Sequence, residues 1–129
     1  MPMLTRRSFL IVVGAATLTA RRRPPDRHPT PRPGIDASKI LPAERLQDHP
    51  DAIPVFQQAR RIPEVLDGIR CQCGCSDLPG KYSLLSCFEE DGMASQCDTC
   101  QGQTRLAYRM HRAGRTLDAI RTAIEEKFG

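Results

Sequence analysis

All six cysteines of this 129-residue chain fall between positions 71 and 100: Cys71-Gln-Cys73-Gly-Cys75, then Cys87, then Cys97-Asp-Thr-Cys100. Whatever the chain folds into must gather these thiols or hold them apart. Cysteines used as ordinary buried hydrophobes scatter, so a cluster points to metal ligands, redox partners or disulfide staples. The rest of the chain makes that choice consequential. From Pro50 to Gly129 there is no tryptophan, and the aromatics are Phe56, Phe88, Phe128, Tyr82 and Tyr108. A core that poor in about 80 residues supplies roughly 3–5 kcal/mol, and domains of this size usually lean on a staple.

The first twenty residues read as an export signal. Thr5-Arg6-Arg7-Ser8-Phe9-Leu10 opens an apolar run from Phe9 to Ala20. A basic start, a short apolar stretch and a small residue form the layout of a secretory signal, and the paired arginines resemble the twin-arginine type. Twelve apolar residues are too few to span a membrane, which takes about 20. The segment Leu18-Thr19-Ala20 is a poor cleavage site and Arg21-Arg22-Arg23 follows at once. The expectation is export through a translocase to the periplasm, cell surface or exterior, with a membrane tether if the signal stays uncleaved. Folding before export would leave the thiols reduced and open to a metal in the cytosol.

Charge divides along the same line. Residues 1–34 carry seven arginines against Asp26, whereas residues 35–129 carry twelve basic and fourteen acidic side chains. The folded part is near neutral with no basic stripe, which excludes nucleic acid as an expected partner. Five prolines between Arg21 and Gly34 indicate an extended linker, and residues 35–50 read as a loosely packed arm. The expected organisation is signal 1–20, linker and arm 21–50, and a cysteine-rich domain 51–129.

The pattern in that domain predicts a small all-α fold with a cysteine-rich loop and a CxxC at a helix start. Ile53, Phe56, Ala59, Ile62 and Leu66 recur at helical spacing, and Pro63 must break the run near Arg61-Ile62. Leu84, Leu85 and Phe88 predict about two inward-facing turns. Ser95 is placed to cap a helix from Gln96 to Arg112 ended by Gly114, with Cys97, Cys100, Thr104, Tyr108 and His111 on one stripe. Thr116 caps a last helix burying Leu117, Ile120, Ile124 and Phe128.

The quoted cysteine motifs, with Pro63-Glu-Val-Leu-Asp67 before them, Ser83-Leu-Leu-Ser-Cys87-Phe88 between them and Gly114-Arg-Thr-Leu-Asp118 after them, resemble the bacterial PCYCGC/CYCXC family over about residues 52–129. The resemblance implies an exported protein or lipoprotein without an established activity. Some members carry selenocysteine in the CxCxC segment, which implies redox or soft-metal chemistry. This chain departs from the pattern: Gln72 replaces a tyrosine, Arg70 a proline, and Tyr82 and Met93 stand where histidines often occur. It also has no lipoprotein cysteine.

Three uses of the thiols stay open. Gly74 lets Cys73 and Cys75 converge on one ion, and Cys97-x-x-Cys100 sets two sulfurs on one side of a first helical turn, where free N–H groups favour thiolate. Together these make a tetrahedral site of four sulfurs, or a Cu(I)–thiolate cluster given the surplus. In a redox protein, Cys97 would attack and Cys100 resolve. As staples, six cysteines permit 15 pairings. The leading expectation is a small exported metal-binding protein that holds Zn(II) or Cu(I) through Cys71, Cys73, Cys75, Cys97 and Cys100. Cys87 would be an auxiliary ligand or a staple. Partners would be the metal ion and a metal- or thiol-exchanging exported protein, and no turnover is implied. Met93 reads as an adaptable apolar contact or a thioether for Cu(I), and His111 as a helix-end histidine rather than a ligand.

Overall fold

Residues 28–129 are described by the computed structural model. The twin-arginine-like segment and residues 21–27 lie outside the described residues. Four α-helices carry the architecture: α1 (Ile53–Arg61), α2 (Pro63–Asp67), α3 (Asp98–Arg112) and α4 (Leu117–Phe128). Short 3-10 turns join them, and among the described residues the one β feature is an isolated bridge between Ile40 and Glu89. The all-α expectation holds.

Each helix end has a local cause. Pro63 disfavours helical backbone at Ile62, which sits at φ −134° and ψ 44°. The proline then opens α2 at its first turn, where its missing N–H costs nothing. This corner drives Leu66 and Asp67 inward and aims the chain at the cysteine loop. Gly114 takes φ 77° after α3, and Thr116 Oγ1 accepts a hydrogen bond from Ala119 N at 3.2 Å to start α4. The start of α3 differs from the expectation. Ser95 is used in the 3-10 turn Ala94–Gln96, and the extended residue Cys97 is the N-cap, its sulfur accepting from Cys100 N at 3.3 Å.

The buried residues of α3 are accordingly Cys100, Gln101, Gln103, Thr104 and Ala107. Tyr108 is half-buried and His111 exposed, so both leave the predicted stripe. Helix α3 packs on α4 through Ile120 and Ile124 and on α1 through its buried face. Phe56 and Phe88 meet edge to face with ring centroids 4.8 Å apart, a contact worth about 0.5–1.5 kcal/mol beyond the area it buries.

The arm is packed rather than loose. Ile40 and Leu46 are 2% exposed, Leu41 N donates to Phe88 O, and Arg60 donates to the carbonyls of Ile40 and Leu41. Residues 28–32 lie along the same surface. Arg32 grips the buried Asp67 through its backbone N (2.7 Å) and its guanidinium (2.8 and 3.2 Å), and Ser83 Oγ adds a third donor group at 2.8 Å. Burial alone would raise the Asp67 pKa, but these donors outweigh it and hold the carboxyl below the usual range. His28 Nδ1 accepts from Arg70 N, its Nε2 lies 2.8 Å from Glu125, and Arg121 bonds both Pro29 O and Gly68 O. No helix among the described residues is long and apolar enough to cross a membrane.

Candidate metal centre

The cysteine loop is shaped from both ends. Leu84 N donates to Ile69 O at 2.8 Å, so the chain enters the loop tied to the following turn. Gly74 turns it at φ 88°, a backbone state that side chains disfavour, and the 3-10 turn Cys75–Asp77 follows. Arg70 closes the loop on itself by pairing with Asp77 at 2.8 Å. The turn Leu84–Phe88 delivers Cys87 from another side, with Ser86 Oγ accepting from Tyr82 N and Ser83 N.

Five sulfurs converge where these segments meet the first turn of α3. The Sγ atoms of Cys71, Cys73, Cys75, Cys87 and Cys100 all lie within 4.8 Å of one another. Cys71 is 3.1 Å from Cys73 and 3.3 Å from Cys100, Cys73 is 3.5 Å from Cys100, and Cys73 and Cys75 are 2.6 Å apart. No disulfide joins any of the six. Four of the five are buried, and Cys73 is partly exposed. Sulfurs around one tetrahedral zinc sit about 3.8 Å apart, because each Zn–S bond is ~2.3 Å. Most of these contacts reach that spacing by opening under 1 Å, and Cys73–Cys75 by slightly more.

Shared protons follow from this crowding. Hydrogen bonds from Cys100 and then Cys87 outweigh burial and draw the Cys71 thiol down to about 2. Cys73 is raised, first by burial and then by its contacts with Cys75 and Cys71. At Cys87 the Cys100 contact lowers the pKa, but the Cys71 contact and burial outweigh it and raise it. Cys100 is raised by its contact with Cys71, then by Cys87 and burial. Among these four thiols the geometry thus favours one thiolate, at Cys71, hydrogen-bonded by its neighbours. A cation would replace those shared protons as the counter-charge.

Cys97 and Cys87 exchange the places that sequence reasoning expects. Cys97 is not among the five that lie within 4.8 Å of one another; its sulfur caps α3 by accepting from Cys100 N and also borders the group through the Cys100 thiol. Cys87, expected as auxiliary, is 1% exposed and inside the group. Three further residues carry the site. Gln103 is fully buried, accepts from Gln72 N at 3.0 Å, and donates from Nε2 to Cys71 Sγ (3.5 Å) and Thr99 O (3.1 Å). It fastens the loop to α3. A polar residue three positions after Cys100, on the same helix face, is the signal that could have marked it. Met93 Sδ lies 3.2 Å from Cys75 Sγ, at the edge of the group. His28, unremarkable in the sequence, orients the loop entrance through Arg70 N.

The arrangement can hold a soft cation through sulfur alone, since no carboxylate or imidazole belongs to the group. Comparison with known proteins adds a family and nothing more specific. A family model described as protein of unknown function with PCYCGC motif matches residues 34–129, the arm included. No curated protein and no solved structure matches the chain.

Proposed function

Since the chain belongs to the family of proteins of unknown function with a PCYCGC motif, we propose from its site that it binds a soft metal ion, Zn(II) or Cu(I), through Cys71, Cys73, Cys75, Cys87 and Cys100. The observation that carries this reading is five sulfurs within 4.8 Å, drawn from the loop, the Leu84–Phe88 turn and α3. Staples would set cysteines in separate pairs, whereas here each sulfur has several sulfur neighbours. Binding deprotonates the remaining thiols and ties three segments of a small core together, so metal and fold are linked. The role is storage or delivery, or stabilisation of the fold, with no turnover.

The N-terminal layout supports export by a twin-arginine-like signal, with the metal loaded in the cytosol before translocation. A metal- or thiol-exchanging exported protein would be the partner. Native mass spectrometry of the protein purified anaerobically from cytoplasm tests the first step. The expected mass is the reduced chain plus metal. A metal-free chain six hydrogens lighter, with all cysteines oxidised, would overturn the reading in favour of staples.

A second reading draws on the 2.6 Å contact between Cys73 and Cys75. A disulfide across that pair would form by loss of two thiol protons and two electrons to an external disulfide, which is reduced to two thiols. Cys73 is the partly exposed member of the pair, the sulfur an external disulfide can reach. The Cys97–Cys100 version is less favoured, because Cys100 is fully buried and Cys97 caps the helix. Trapping a mixed disulfide at Cys73 from metal-free protein would favour exchange over binding.

A further inference from the structure

Burial across the sulfur group is graded. Cys71, Cys87 and Cys100 are at most 1% exposed and Cys75 is 3% exposed, whereas Cys73 is partly exposed and Met93 is 48% exposed. Met93 thus presents a sixth sulfur to solvent while touching the group at Cys75, 3.2 Å away. Among the described residues only Leu78 and Tyr82 are comparably exposed large apolar side chains. Tyr82 has an evident use, stacked on Arg32 at 4.3 Å with its hydroxyl on Thr30 O. Met93 has no such use in packing.

The backbone nevertheless fixes where Met93 stands. Gly92 N donates to Glu89 O at 2.9 Å, and a Cβ at Gly92 would run into the Cys87 carbonyl, so only glycine fits. Asp91 takes the left-handed φ of 64°, and Lys81 Nζ caps its carbonyl at 2.9 Å. Met93 O then accepts from Gln96 N as the next turn begins. A left-handed non-glycine residue is strained and persists where its surroundings enforce it. This turn therefore holds a thioether against the outermost buried thiol.

A thioether is neutral and releases no proton on binding. It is a soft ligand suited to Cu(I) and a poor one for Zn(II). Five cysteines also exceed the four a zinc site takes, whereas Cu(I)–thiolate clusters use such a surplus. Resting on the metal-binding reading above, we propose that the ion is Cu(I) and that Met93 is the exchange ligand by which it enters and leaves. In loading, a bond from Cu(I) to Met93 Sδ forms as the bond to the incoming soft carrier ligand breaks. A bond to Cys75 Sγ then forms as that thiol loses its proton to solvent, and the carrier departs. Copper remains Cu(I) and no electron moves. Unloading reverses these steps.

The test loads reduced full-length protein with Cu(I) under anaerobic conditions and follows transfer to bathocuproine disulfonate in a stopped-flow instrument. Met93→Leu is expected to bind the same number of copper ions and to transfer them at least 10-fold more slowly. Zinc release to a chromophoric chelator should be unchanged by the substitution. Copper transfer at the wild-type rate would overturn the role of Met93 while leaving the cluster reading intact. Equal slowing of zinc release, or a changed copper count, would mark Met93 as a lid or structural part and overturn it too. Failure of the wild-type protein to bind any Cu(I), with zinc still bound, would refute the choice of ion. Failure to bind either ion would refute the metal-binding reading itself.

Discussion

Two cysteines three residues apart give opposite expectations when each is replaced by serine. Cys100 is fully buried, is the one sulfur of the five carried by α3, and touches Cys71 and Cys73 at 3.3 and 3.5 Å. Cys100→Ser removes a soft ligand and leaves a buried hydroxyl among sulfurs. An ill-satisfied buried hydroxyl costs about 1–3 kcal/mol. For a domain of this size that lowers Tm by about 5–20 °C without metal. Structural zinc sites bind with roughly 10–16 kcal/mol, so one ligand in four accounts for about 3 kcal/mol, a loss of ~100-fold in affinity or more. Four sulfurs remain, so binding weakens rather than disappears. Cys97 uses its sulfur to accept from Cys100 N at the start of α3. Serine is among the best residues for that position, so Cys97→Ser should stay within ~2 °C of wild type and keep its affinity. Thermal unfolding with and without zinc, and competition against a chromophoric chelator, measure both quantities. Equal loss of affinity in the two variants would place Cys97 in the ligand set and refute the reasoning from geometry.

Three other outcomes follow from the packing around the site. Asp67→Ala leaves Ser83 Oγ and the Arg32 guanidinium without their acceptor; because Arg32 can rehydrate, the cost is about 2–3 kcal/mol, read as a shift in denaturation midpoint. No shift would mean that residues 28–32 do not brace the domain. His28 has its pKa lowered below 6.5, first by burial and against the pull of Glu125. The fold thus favours neutral imidazole, whose Nδ1 accepts from Arg70 N. Its contribution is complete above pH 6.5 and is lost as pH falls through the folded value, so urea stability should drop on acidification from pH 7. His28→Gln should flatten that dependence, while the Asp67 contribution is complete above its ordinary value of 3.8 and is lost only as pH falls through the lower folded value. Gly92→Ala puts a methyl against the Cys87 carbonyl and should cost about 1–3 kcal/mol by overpacking, with circular dichroism melts as the measure. A melting temperature unchanged from wild type would argue against the tight turn.

Much of the helical framework was legible in the chain because its signals are local. Pro63 splits α1 from α2, Gly114 and Thr116 separate α3 from α4, and Ile120 and Ile124 repeat at helical spacing, so each boundary is decided within a few residues. The start of α3 was less legible, since Ser95 and Cys97 can both cap and only the preceding 3-10 turn decides between them. The packed arm escaped the sequence reading for another reason. Ile40 and Leu46 have no periodicity, and the arm that carries them is fastened at Ile40 and Leu41 by Arg60 and the Phe88 carbonyl, far along the chain.

The same division holds at the site. Sequence alone determined that thiols are the chemistry and that CxCxC and CxxC supply them, because ligand type and short spacing are written in the order of residues. Tertiary structure decided which sulfurs meet. Cys87 is among the five because the Leu84–Phe88 turn brings it to the loop, while the Cys97 sulfur caps α3 and stands beside Cys100 at the border of the group. The reach of Gln103 to the loop and of Met93 to Cys75 was decided there too. Such contacts depend on where separate segments come to rest, and no local preference of the backbone records that.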